Sequence, residues 1–307
     1  MRRTALRCAA VAAAAVTIAA ADSSDTFGVG VLRRDGVLIP FATFDGRRWR
    51  NAWPDPKPEL SVPINLTSIP QRWWGPTGAL DQWQAAIGGA ERTLHVTQPD
   101  WVPVHCARHL ALRTDYHADG IVPPRQEQPY PKEGLAISPA HRIEAVEMLL
   151  PTATELHDVA EPLREAFNRA ERQISGSHPV GRSAREPVLP IIEAAYGLGE
   201  SPRFYYVEAQ RSYRSLGQTP DECLAVAFGT GWFVRDGSGV RSLLTAVDLL
   251  QCNRYGASYM LPLGVVRAAG RLFWIAQFSG WEHERYAVLE LTPKKVDVMI
   301  STWGGGC

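Results

Sequence analysis

The chain has no charge of one sign to spare. Its 307 residues carry 32 Lys and Arg against 32 Asp and Glu, a formal net charge of +0. Nucleic-acid grooves and docking on anionic membranes draw on a basic excess. The densest basic cluster, Arg47-Arg48-Trp49-Arg50, reads as a turn rather than a phosphate groove. No nucleic-acid partner is expected. After residue 21 no run approaches the ~20 apolar residues that a membrane-spanning helix needs, so the mature chain is expected to be soluble and without a membrane anchor. The G-x-S-x-G elbow, the P-loop, H-E-x-x-H and the EF-hand loop are all missing. Gly28-Val-Gly30 leads into a strand pattern, not the helix that a dinucleotide fingerprint requires. No cofactor is expected.

The opening of the chain is strongly patterned. Met-Arg-Arg-Thr-Ala-Leu-Arg places three bases in seven residues, and Cys8 to Ala21 is apolar apart from Thr17. A basic start, a short apolar run and a small-residue end are the parts of a cleavable secretory signal peptide. Residues 1–21 are therefore expected to be removed, leaving 22–307 as one secreted or periplasmic domain. The flanking residues of a twin-arginine signal are missing around Arg2-Arg3. Cys8 lies at the start of the apolar run, so lipid attachment there is not expected.

Removing the leader takes Cys8 away. Cys106, Cys223, Cys252 and Cys307 remain, an even number, which in an exported chain favours two disulfides. Three pairings are open. Cys307 follows Gly304-Gly305-Gly306, as suits a bridge that fastens the C-terminus to the body.

Along the mature chain the pattern is mostly β. Residues 27–50 hold two apolar runs around Arg34-Asp35-Gly36, a hairpin signature, since glycine supplies the positive φ of such turns. Residues 51–104 are rich in Pro and Trp, with short strands expected at 60–66 and 93–96. Residues 102–115 read as a strand and 116–140 as a loop. One segment is helical. Leu156, Val159, Leu163, Phe167, Ala170 and Ile174 recur every three or four residues. Thr152 and Glu155 suggest a capping box, Pro162 a kink and Gly176 a stop. A polar linker over 176–186 then leads to strands at 204–209, 223–228, 258–261, 272–278 and 286–291.

Residues 30–46 align without gaps to residues 264–280, and eight of seventeen positions are identical, including Gly30/Gly264, Arg33/Arg267, Gly36/Gly270 and Gly46/Gly280. One reading is an internal repeat that closes a circular β-fold such as a propeller. The other is two unrelated hairpins of shared composition. The expected fold class is mainly β, propeller-like or otherwise multi-sheet, with one long helical insertion over 152–175. An α+β domain is the alternative.

Three clusters carry chemistry. His105 and His109 would share a face at i and i+4 of a strand and form a weak metal candidate, with His95 or His117 as a third ligand. Trp281-Glu282-His283-Glu284-Arg285-Tyr286 combines acid, base and cation, and reads as a solvated strand edge. Tyr205, Tyr206, Glu208, Arg211 and Tyr213 form a polar–aromatic group suited to sugar stacking, and Trp73-Trp74 and Trp281 serve either core or binding. No catalytic residue can be assigned. The expected function is an exported binding or interaction module for a protein or carbohydrate ligand, rather than an enzyme. The alternative is a secreted hydrolase acting on glycans.

Overall fold

Strand patterns outnumber helical ones in the sequence, and the computed structural model has sixteen strands and one long helix among its described residues. Those residues are 26–51, 53–57, 63–65, 69, 81–118, 131–174, 178–214 and 223–307. Residues 1–21 with Cys8, most of the strand expected at 60–66, Trp73-Trp74 and Gly176 lie outside them.

The first sheet contains β1 (Thr26–Arg33), β2 (Val37–Asp45), β3 (Trp49–Arg50), β4 (Gln82–Ile87), β5 (Ala90–Val104), β6 (Ala107–Thr114) and β7 (Lys132–Ser138). Its order is β1-β7-β4-β5-β6-β2-β3, and β2 also pairs with β1. Six strands therefore close into a barrel. Each sends a residue inward: Leu32, Leu38, Trp83, Leu94, Leu112 and Ala136.

The second sheet runs β13 (Tyr259–Ala268), β14 (Arg271–Gly280), β15 (His283–Leu291), β16 (Val296–Gly306) in that order. The third contains β8 (Glu147–Leu149), β9 (Ile191–Leu198), β10 (Arg203–Arg214), β11 (Cys223–Asp236) and β12 (Gly239–Leu250), in the order β12-β11-β10-β9-β8. Helix α1 (His157–Gln173) covers its far face, and a short helix α2 (Arg182–Arg185) follows.

Period-two alternation stacks these parts in four layers. On β14, Phe273 and Ile275 pack on the outer wall of the barrel, against Val31, Ile39 and Phe41. Trp274 and Ala276 point the other way, to Tyr206, Trp232 and Val234. Tyr205, Val207 and Phe233 then face Val159, Leu163 and Phe167 of α1. Burying a Leu, Val or Phe side chain contributes roughly 1.5–3 kcal/mol, so this apolar stripe, not its caps, holds the helix in place. The approach is close: a Cβ on Gly229 would sit 2.5 Å from the Phe167 ring. Any side chain there would push the helix off the sheet.

Mainly β, multi-sheet and interrupted by one helix is thus what forms. The sheets stack on a barrel instead of ringing an axis as blades. Thr154–Leu156 is a 3-10 turn, and α1 begins without a side-chain cap. Glu155 is drawn away by Arg203, whose Nε donates to Oε2 at 2.6 Å. Pro162 lies inside α1, which continues through it. The run 102–115 is a hairpin rather than a strand, because His105 and Cys106 form its turn, with φ of 52° at His105. The supposed loop 116–140 contains β7.

The segments at 30–46 and 264–280 are both antiparallel hairpins, and each has a bulge next to its first glycine. Their turns differ. The first has three residues, Arg34-Asp35-Gly36, and the second has two, Ala269-Gly270, both at positive φ.

Candidate functional site

The four-stranded and five-stranded sheets meet over Trp232 and Trp274, whose rings touch edge to face at 5.0 Å. Toward their free edges, β16 and β12, the sheets part into a groove with two connected lobes of about 230 and 300 Å³. Tyr206, Thr230, Ala246, Phe278 and Arg285 line both. The smaller lobe adds Phe228, Asp248 and Ser258, and the larger adds Trp232, Leu244, Leu289 and Val298. Pleating places these walls. Phe278, Arg285 and Trp303 are cross-strand neighbours on β14, β15 and β16 and share one face.

Two charges stand in the smaller lobe on opposite walls, Asp248 of β12 and Arg285 of β15. Among the described residues neither side chain forms a hydrogen bond or ion pair, and both residues are exposed. Most other arginines here are paired, for example Arg271 with Glu290 at 2.7 Å and Arg203 with Glu155 at 2.6 Å. An aromatic and apolar cleft with few convergent polar groups is the usual form of a ligand site.

Behind the wall of the groove sits Glu208, 3% exposed. Its Oε1 accepts the Met260 amide at 2.6 Å and the Tyr206 hydroxyl at 3.3 Å. Burial pushes its carboxyl up to about 7, against the opposing pull of these donors. Burial also holds the Tyr206 phenol well above its ordinary range, so it remains a donor. Tyr206 touches Thr230, and the chain Glu208–Tyr206–Thr230 ends at the groove surface. A carboxyl that titrates near neutrality is chemically equipped for general acid–base work. Glu193, whose charge adds to the upward shift, is paired with Arg254 at 2.7 Å.

The polar–aromatic group of β10 is divided by the pleat. Tyr206 and Glu208 face the groove side. Arg211 and Tyr213 turn to the helix, where both bind Glu171, at 3.0 and 2.7 Å. Tyr205 also turns to the helix side and donates to Glu155 at 3.1 Å.

The 281–286 segment corrects the expectation of a solvated edge. β15 is a central strand between β14 and β16, so every second side chain is sealed against the barrel. Glu284 is fully buried. Its Oε2 lies 3.1 Å from Lys132 Nζ, 3.3 Å from Gln277 Nε2 and 3.8 Å from His105 Nε2. The Tyr286 hydroxyl donates to Oε1. Burial pulls the Lys132 ammonium and the His105 imidazole below their ordinary values, and Glu284 partly offsets both. Trp281 and Glu282 form the β14–β15 turn, and the His283 ring stacks on Trp303 at 6.0 Å.

His105 and His109 do not share a strand face, since His105 is a turn residue. The His109 Nδ1–H donates to the Leu110 carbonyl at 2.9 Å, and burial takes its pKa down to about 4. His95 and His117 are exposed. Among the described residues no group of three or more His, Cys, Asp or Glu is arranged to hold a metal ion.

The four cysteines form two bridges. Cys106–Cys307 ties the β5–β6 turn to the C-terminus, and Cys223–Cys252 ties the start of β11 to the loop before β13. The second bridge anchors the loop that carries Gly256 and Ser258 of the groove. Among the described residues no helix is long and apolar enough to cross a membrane.

No motif in the sequence marks Asp248, Thr230, Phe278 or Leu244 as groove residues. Asp248 is the lone acid in the apolar run 243–250, which carries the signal of a half-buried strand edge. No family model, no curated protein and no solved structure matches this chain.

Proposed function

We propose that this chain is an exported binding module that takes its ligand in the groove between the four- and five-stranded sheets. The observation that carries the reading is the pair of unpartnered charges, Asp248 and Arg285, on facing walls of an aromatic cleft. Leaving both without partners has a use if a ligand supplies them. The leader-like first 21 residues and the two disulfides support export, since such bridges persist in oxidising compartments.

The alternative is a secreted hydrolase acting on glycans, favoured by Glu208, whose carboxyl titrates at about 7 behind the Tyr206 wall. Glycosidases place two carboxyl groups across the scissile bond. The described walls of the groove carry one acid, Asp248, which favours binding over cleavage.

Calorimetric titration with cello-, chito- and maltohexaose, free amino acids and extended peptides tests both readings. Binding that is lost in Asp248→Ala and Arg285→Ala supports the groove. Binding that survives both substitutions contradicts it. Turnover of an oligosaccharide that disappears in Glu208→Gln establishes the hydrolase instead.

A further inference from the structure

Sheet edges are liabilities, and proteins normally blunt them with Lys, Pro, short strands or covering segments. Most edges here follow that rule. β8 has three residues and β3 has two, while β13 carries Pro262. β16 ends in three glycines fastened by Cys106–Cys307. β12 is different. It has 12 residues, contains neither Lys nor Pro, and among the described residues pairs only with β11; its charges, Arg241 and Asp248, and one register shift leave the stretch from Leu244 to Val247 uncharged and regular. Leu244, in its middle, is 48% exposed.

Concavities flank this edge on both faces. On one side is the larger lobe of the groove, with Leu244, Ala246, Val298 and Leu289. On the other is a furrow of about 510 Å³ between β12 and α1, walled by Pro162, Glu165, Ala166 and Arg169 against Val240–Thr245. Successive side chains of a strand point to opposite faces. A strand laid along β12 would therefore send one set into the apolar lobe and the alternate set into the furrow. Glu165 and Arg169 are exposed and unpaired among the described residues, so the furrow favours charged side chains.

We propose that β12 is a strand-addition edge, which captures an extended partner peptide alternating apolar and charged residues. This deepens the groove reading and rests on it, because the apolar lobe is shared. Main-chain pairing would supply affinity and the two side-chain rows specificity. A second copy of this chain fits less well. The face of β12 toward the helix presents Val240, Thr245, Val247 and Leu249, which offer nothing to Glu165 and Arg169.

The probe is a fluorescein-labelled peptide, Lys-Val-Glu-Val-Lys-Val-Glu-Val, compared with a version carrying Pro at its fourth and sixth positions. Binding is read by anisotropy and its location by amide hydrogen exchange. The alternating peptide binds, slows exchange of every second amide of β12, and binds about tenfold more weakly to Leu244→Lys, which puts a charge against the apolar row. Equal binding of the Pro-interrupted peptide, no binding at all, or binding without protection of β12 overturns the proposal. A wild-type dimer in light scattering that Leu244→Lys dissociates overturns it in favour of self-association. The groove reading fails separately, when Asp248→Ala and Arg285→Ala leave the binding of every ligand class unchanged.

Discussion

Replacing Glu208 with Gln should stabilise the protein above neutral pH and change how its stability depends on pH. In the folded chain the Glu208 carboxyl titrates at about 7, raised from 4.5 by burial. Between those two values the folded state holds a proton that the unfolded state has released. Stability contributed by this group is therefore complete below about pH 4.5 and is lost as pH rises toward 7. Each pKa unit corresponds to about 1.4 kcal/mol, so the loss amounts to about 3 kcal/mol. Glutamine retains an oxygen for the Met260 amide, now 2.6 Å from Oε1, and never ionises. At pH 8 the variant should be about 3 kcal/mol more stable than wild type, roughly 5–10 °C in Tm. At pH 4 the two should nearly coincide. The difference between the proteins must be measured, since His109 titrates in the same window with the opposite sign. Urea denaturation of both proteins from pH 4 to 8 reads it directly. A variant no more stable than wild type at pH 8, or a difference that does not grow between pH 4.5 and 7, would refute the buried-carboxyl argument.

Three further outcomes follow from the same geometry. His109 stays neutral in the fold down to about pH 4, so stability falls as pH drops from about 6.5 to 4. His109→Leu should flatten that acid limb in urea titrations. Opening Cys106–Cys307, which spans 201 residues, should cost about 5 kcal/mol, and Cys223–Cys252, which spans 29, about 4 kcal/mol. Paired Cys→Ala variants in urea denaturation check the order. Lys132→Met or Glu284→Gln alone strands one member of a buried pair at about 3–5 kcal/mol, whereas the double variant should lose much less. A double-mutant cycle measures the coupling, and additive losses would contradict it.

Much of the architecture was legible in local pattern. The hairpins at 27–45 and 264–280 announce themselves through turn glycines, and α1 through a stripe of period 3.6. The two bridges match the even count of cysteines left once Cys8 is set aside. Other parts needed tertiary context. Residues 239–250 carry Leu-Leu-Thr-Ala-Val-Asp-Leu-Leu, which favours helix as readily as strand until β11 is beside it. Glu284 looks solvated in sequence because nothing nearby reveals Lys132, 152 positions away. The groove sets Asp248 opposite Arg285 only because two sheets, each regular in itself, part toward their edges. Closure of the barrel rests on β7, hidden in a Pro-rich stretch that reads as loop.

We propose that the inter-sheet groove and its β12 rim are where this protein meets its ligand. The most direct test is the affinity of the alternating peptide for wild type, Leu244→Lys and Arg285→Ala, with their folds verified by equal thermal stability. Binding to wild type is expected to weaken about tenfold in Leu244→Lys and to hold in Arg285→Ala, because the peptide turns its valines, not its charges, toward the groove. Affinity unchanged in Leu244→Lys would contradict the β12 site.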